Sequence, residues 1–150
     1  MGIENCRNNQ LFLICPFCQM EHFIRKYYGE ALFLTAPAAI FHFGVEEVQV
    51  IRDFIARENI TRIFLVAETS CNFTHNVLHN KNHSGLRCEA DIQKLKSAED
   101  TICSLTHKIA TQEAARLEKI FLNGIAVNSA AIQLHALLTY KNQNKIIKIK

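Results

Sequence analysis

The chain has no tryptophan, two prolines and five glycines in 150 residues. That is too little proline and glycine for a linker-rich or low-complexity protein. One domain spanning residues 1–150 is therefore expected, and that length suffices to bury a core. Neither sign of charge dominates, since 17 Lys and Arg face 14 Asp and Glu for a net +3. The sequence also lacks the stripe of arginines and aromatics that a nucleic-acid surface needs, so no nucleic-acid partner is expected. The lysines gather in the tail YKNQNKIIKIK, which reads as a solvated terminal strand. No apolar run approaches the eighteen or so residues of a membrane span, so no membrane partner is expected. The opening MGIENCRNNQ is polar, which predicts no secretory signal. Cys6 stands where a myristoylation motif carries Ser or Thr.

What the chain does have is six cysteines and 49% hydrophobic residues. The apolar content marks it as globular. Cysteines without an export signal point to a reducing compartment, here the cytoplasm. There they serve as metal ligands, catalytic groups or core residues more often than as disulfides. Cys6, Cys88 and Cys103 have no partner at metal-like spacing and read as structural or incidental thiols. Cys15 and Cys18 differ, because they close the apolar run of LFLICPFCQMEHF, residues 11–23.

The hydrophobic pattern predicts alternating strands and helices. LFLIC at 11–15 suits a fully buried strand. In CQMEHFIRKYY, Met20, Phe23, Ile24 and Tyr27 recur at helical spacing, and Gly29 ends the segment. ALFLTAPAAIF is a second strand running into a loop. VEEVQVIRDFIARENI is the clearest helix, with Val45, Val48, Ile51, Phe54 and Ile55 on one stripe. RIFLVA is a third apolar strand. Residues 79–87 read as a loop and 89–118 as polar-helical. KIFLNGIAV reads as a fourth strand turned back at NSAA. IQLHALLTY is a return strand or short helix, and KIIKIK a lysine-guarded edge strand. The fold class expected is α/β, a parallel-dominated central sheet flanked by helices.

In such a sheet, ligands collect at the carboxyl ends of the strands. The first strand ends at Cys15 and Cys18, and the third, IFLVAETSC, carries Glu68 and Cys71. If the two strands are neighbours, two thiolates and a carboxylate converge. These are zinc ligands by chemistry, with a fourth position for Cys18 or water. Strand, Cys-Pro-Phe-Cys, helix is also the pattern of a thiol-disulfide oxidoreductase. On that alternative Cys15 is the nucleophile and Cys18 the resolving thiol. Glu68 at a buried strand end is costly to leave unpaired, so it either binds a metal or meets a base such as Arg62, Arg25 or a histidine. His75, His79 and His83 read as surface histidines, and His22 lacks the neighbours that would complete a finger.

The order and spacing of these segments resemble the β-class carbonic anhydrases. CPFCQ at 15–19 stands where the family has Cys-x-Asp-x-Arg, and ALFLTAPAA at 31–39 where it has a second strand. VAETSCN at 66–72 resembles the strand ending in His-x-x-Cys-Gly. FLNGIAVNSAAIQLHAL at 121–137 resembles the closing strand and hairpin. The resemblance implies a homodimer and a zinc ion on Cys15, Glu68 and Cys71, and leaves Cys18 as either a fourth ligand or a bystander. It also implies departures. Glu68 replaces the ligand histidine, while Phe17 and Gln19 replace the Asp and Arg that manage the water at the metal. Ala36 replaces an arginine and Asn72 a glycine.

Zinc with two thiolates and an imidazole is neutral, whereas a carboxylate in place of the imidazole makes the site −1. That weakens the Lewis acid and repels bicarbonate. Each unit by which the water's pKa rises costs about 1.4 kcal/mol. Carbon dioxide hydration is thus expected to be weak or absent, no catalytic residue is assigned, and a small carbonyl-like molecule is the ligand class considered.

Overall fold

The structure, a computed structural model, describes residues 9–81, 84–122 and 132–150. Five strands form one sheet in the order β2-β1-β3-β4-β5. They are β1 (Gln10–Ile14), β2 (Leu32–Thr35), β3 (Arg62–Glu68), β4 (Gln133–Tyr140) and β5 (Lys145–Lys148). Three of the four pairings are parallel, and β5 runs antiparallel to β4. The helices are α1 (Glu21–Tyr28), α2 (Val45–Arg57), α3 (Asn72–Leu78), α4 (Arg87–Leu95) and α5 (Ile102–Leu122). The expected α/β class and parallel-dominated sheet are present.

Parallel strands covered on both faces need apolar side chains on both. All five residues of β1 and the last six of β3 are buried. Successive side chains point to opposite faces, so the sheet separates two cores. Phe12, Ile14, Phe64, Val66 and Leu137 join Val77, Ile92, Leu105 and Ile109 on one side. Leu11, Leu13, Ile63 and Leu65 join Ile55, Leu117 and Phe121 on the other. Phe12 is fully buried and stacks on Phe64 with centroids 4.7 Å apart. Phe12→Ala is expected to lower stability by about 3–5 kcal/mol. The check is a shift of the urea midpoint at unchanged slope.

Several expectations are corrected. Residues 89–118 are helical as expected but divided between α4 and α5 by a break at 96–101. The break is built by Thr101 and Ser104, which cap reciprocally: the Ser104 N–H donates to Thr101 Oγ1 at 3.2 Å and the Thr101 N–H to Ser104 Oγ at 2.8 Å. Residues 119–122 belong to α5 rather than a strand, because Phe121 continues the buried stripe of Ala114 and Leu117. The remainder of that expected strand and the NSAA turn lie outside the described residues. IQLHALLTY is a strand, parallel to β3. Tyr27, Val45 and Cys103 are exposed, so the apolar stripes of α1 and α2 are only partly covered. Among the described residues, no helix is long and apolar enough to cross a membrane.

Candidate metal centre

Strands β1 and β3 are neighbours paired through Leu11↔Ile63 and Leu13↔Leu65. Their carboxyl ends therefore emerge side by side. Cys15 follows β1 directly and caps a 3-10 turn, Pro16–Cys18. Pro16 fixes the first position of that turn. The Cys18 N–H closes it onto the Cys15 carbonyl at 3.3 Å, and Gln19 leaves it in the left-handed region (φ 52°). After β3, the Cys71 N–H returns to the Glu68 carbonyl at 3.2 Å, and Cys71 caps α3.

The two turns bring the sulfurs of Cys15, Cys18 and Cys71 together, each within 4.8 Å of the others. All three residues are buried. They lie against a small cavity of about 10 Å³, room for about one water. Its other walls are Ala38, Val66, Ala67, Glu68, Thr74, Thr106 and Ile109.

The three thiols lie close enough to perturb one another. Cys15 is held far below the ordinary thiol range, first by the Cys18 thiol and then by the Cys71 thiol hydrogen-bonded to it. The backbone N–H groups of Phe17 and Ala38 add to this, against the cost of burial. The same contacts push Cys18 up, as it faces the sulfurs of Cys15 and Cys71 in a buried place. Cys71 is raised chiefly by Cys15. Ala38 donates its N–H to Cys15 Sγ at 3.2 Å. To do so it adopts a left-handed conformation (φ 58°), as does Ala39 (φ 55°). For a residue with a Cβ this costs about 1–2 kcal/mol, so the surrounding fold must hold it there.

Glu68 lines the cavity, but its carboxylate is committed elsewhere. Oε2 accepts the Ser70 N–H at 2.9 Å and the Ser70 hydroxyl. Oε1 accepts the Thr139 hydroxyl at 2.8 Å and the Lys141 N–H at 2.9 Å. These four bonds satisfy a side chain that is only 4% exposed and tie the end of β3 to the end of β4. The base expected opposite Glu68, Arg62, Arg25 or a histidine, is not its partner: neutral hydroxyl and backbone N–H groups satisfy the carboxylate instead. Glu68 is outside the three-sulfur group. Lys141 reaches the site a second time, because its Nζ donates to the Cys18 carbonyl at 2.6 Å. The sequence reading missed Lys141 among the basic residues of the tail.

The other expected residues fall as follows. Phe17 is 62% exposed and packs edge-on against Phe73 at 5.4 Å. Gln19 is exposed. His75 Nε2 lies 2.8 Å from the Thr69 carbonyl oxygen, and His79 and His22 are exposed. Cys6 and His83 lie outside the described residues. Cys88 is buried, and burial first of all pushes its thiol up to about 12, leaving it inert.

No protein-family model matches the chain, and no curated protein matches it in sequence. Solved structures do match. The β-carbonic anhydrase of Coccomyxa, in complex with acetazolamide, superposes with TM-score 0.73 at 9% identity, covering 94% of this chain and 71% of that one. The β-carbonic anhydrase CafD of the filamentous fungus Aspergillus fumigatus gives 0.72 at 10%, covering 94% and 88%. One of two tetrameric β-carbonic anhydrases from Sordaria macrospora gives 0.68 at 12%, covering 94% and 80%. The expected resemblance is therefore real at the level of the fold. Nothing in the fold or in these likenesses supports the thiol-disulfide alternative.

Proposed function

On the β-carbonic anhydrase fold, we propose that this chain holds a metal ion of the zinc class on Cys15, Cys18 and Cys71. Carbon dioxide hydration is weak or absent. The observation that carries the reading is the convergence of three buried sulfurs within 4.8 Å at the ends of β1 and β3. The donor set fits the ion. Sulfurs that each bond one zinc at about 2.3 Å sit roughly 4 Å apart, so a small inward movement suffices. The N–H groups of Phe17 and Ala38 at Cys15 are the outer support that thiolate ligands need.

Zinc bound there would supply Lewis acidity, which three thiolates damp. The chain's own residues add little to proton transfer. Phe17 has no proton to accept, and Gln19 is a neutral amide facing solvent. Glu68, the carboxylate in the cavity wall, spends both oxygens on Ser70, Thr139 and Lys141. A general base must reach the proton it removes, and no side chain lining the cavity is free to do so.

Two further parts of the reading concern setting. Val45 and Val50 are 91% and 66% exposed on α2, and β2 forms a half-covered sheet edge. These surfaces suit a homodimer. The free thiols suit the cytoplasm. The test of the central reading is elemental mass spectrometry on protein purified without added metal, with stopped-flow hydration assays beside it. About one ion per chain and hydration at the uncatalysed rate are expected. Metal-free protein, or hydration at the rate of a working enzyme, contradicts the reading.

A further inference from the structure

Among the described residues, the cavity offers three sulfur donors and no fourth ligand of the usual kinds. No histidine lines it. The Glu68 oxygens carry four hydrogen bonds between them, and freeing one for a metal would strand buried donors at the ends of β3 and β4. The Thr106 hydroxyl already donates to the Ile102 carbonyl at 2.6 Å. Ala38, Val66, Ala67 and Ile109 have apolar side chains, and the neutral hydroxyl of Thr74, the remaining polar side chain of the wall, is a poor ligand for a soft ion. At about 10 Å³ the space holds an ion or a water but not a substrate.

Charge points the same way. Three thiolates around a divalent ion sum to −1, in a wall with no cationic side chain. The ammonium of Lys141, at 2.6 Å from the Cys18 carbonyl, is placed to balance that charge. A hard ion wants oxygen ligands and more of them, and zinc prefers four. An ion satisfied by three soft sulfurs loses nothing here.

We infer that the site takes a sulfur-seeking ion that is content with three thiolates and no water, a class for which Cd(II) is the probe. This rests on the metal-binding reading above. Binding forms three metal–sulfur bonds and releases the thiol protons to the buffer, and nothing is oxidised or reduced. Such a site holds its ion rather than presenting it to a reactant.

The experiment is a titration of the zinc-loaded, full-length chain with Cd(II), reading zinc release and the ultraviolet sulfur-to-cadmium charge-transfer band. Equimolar Cd(II) is expected to displace most of the zinc, because soft thiolates favour the softer ion, and the band should have the intensity of three thiolates. Zinc held against an excess of Cd(II), or a band of two-thiolate intensity, overturns the inference and leaves metal binding itself standing. Failure to bind either ion overturns both.

Discussion

Cys18→Ser is expected to weaken metal binding by at least about 100-fold while leaving the fold intact. Loss of an outer partner already costs a metal site about 10–100-fold, and loss of a sulfur ligand exceeds that. The hydroxyl is nearly isosteric with the thiol, and the turn that carries it is closed by backbone and by Lys141 rather than by sulfur. A midpoint of unfolding within about 1 kcal/mol of the parent, measured without metal, is therefore expected. Metal affinity and stability read separately make the result decisive. Unchanged affinity in Cys18→Ser would restrict the site to Cys15 and Cys71. Cys88→Ser is the control: it removes a buried thiol outside the three-sulfur group and should leave affinity unchanged.

Glu68→Ala should show the opposite pattern. Glu68 accepts from Ser70, Thr139 and Lys141 at the junction of β3 and β4, and Thr139 is fully buried. Truncation leaves those donors without an acceptor, at a cost of about 3–5 kcal/mol. Glu68→Gln keeps the shape but turns an amide donor toward one of the N–H or O–H groups. A loss of about 1–3 kcal/mol is expected there. Because Glu68 stands apart from the three sulfurs, Glu68→Gln should hold its metal within several-fold of the parent. A ligand role would instead show as a loss of metal in Glu68→Gln comparable to that of Cys18→Ser. Chemical denaturation of the metal-free proteins and competition with a chelator give the two numbers.

These two residues also show what could be read from sequence. β1 and β3 were legible because buried parallel strands must be apolar on both faces, as LFLI and IFLVA are. Their adjacency was a condition in the sequence, and the strand order β2-β1-β3 supplies it, and with it the meeting of Cys15 and Cys71. Whether Cys18 belonged was open, since Cys-Pro-Phe-Cys serves a dithiol and a metal site equally well. Only the turn's closure, with Lys141 pulling on the Cys18 carbonyl, decides where that sulfur points. Lys141 lies 123 positions from Cys18 and at least 71 separate Glu68 from its β4 partners, distances no local pattern spans. The break between α4 and α5 was missed because the apolar period survives it, while the capping pair Thr101 and Ser104 is weaker punctuation than glycine or proline. At 119–122 an apolar cluster read as a strand belongs to a helix, as short apolar runs alone cannot distinguish the two.

The most direct measurement is X-ray absorption at the edge of the bound metal in the zinc-loaded chain. Three sulfur neighbours at about 2.3 Å are expected, supplied by Cys15, Cys18 and Cys71. Two sulfurs with the remaining shell made of nitrogen or oxygen would contradict the three-sulfur site and return Glu68 to the ligand set.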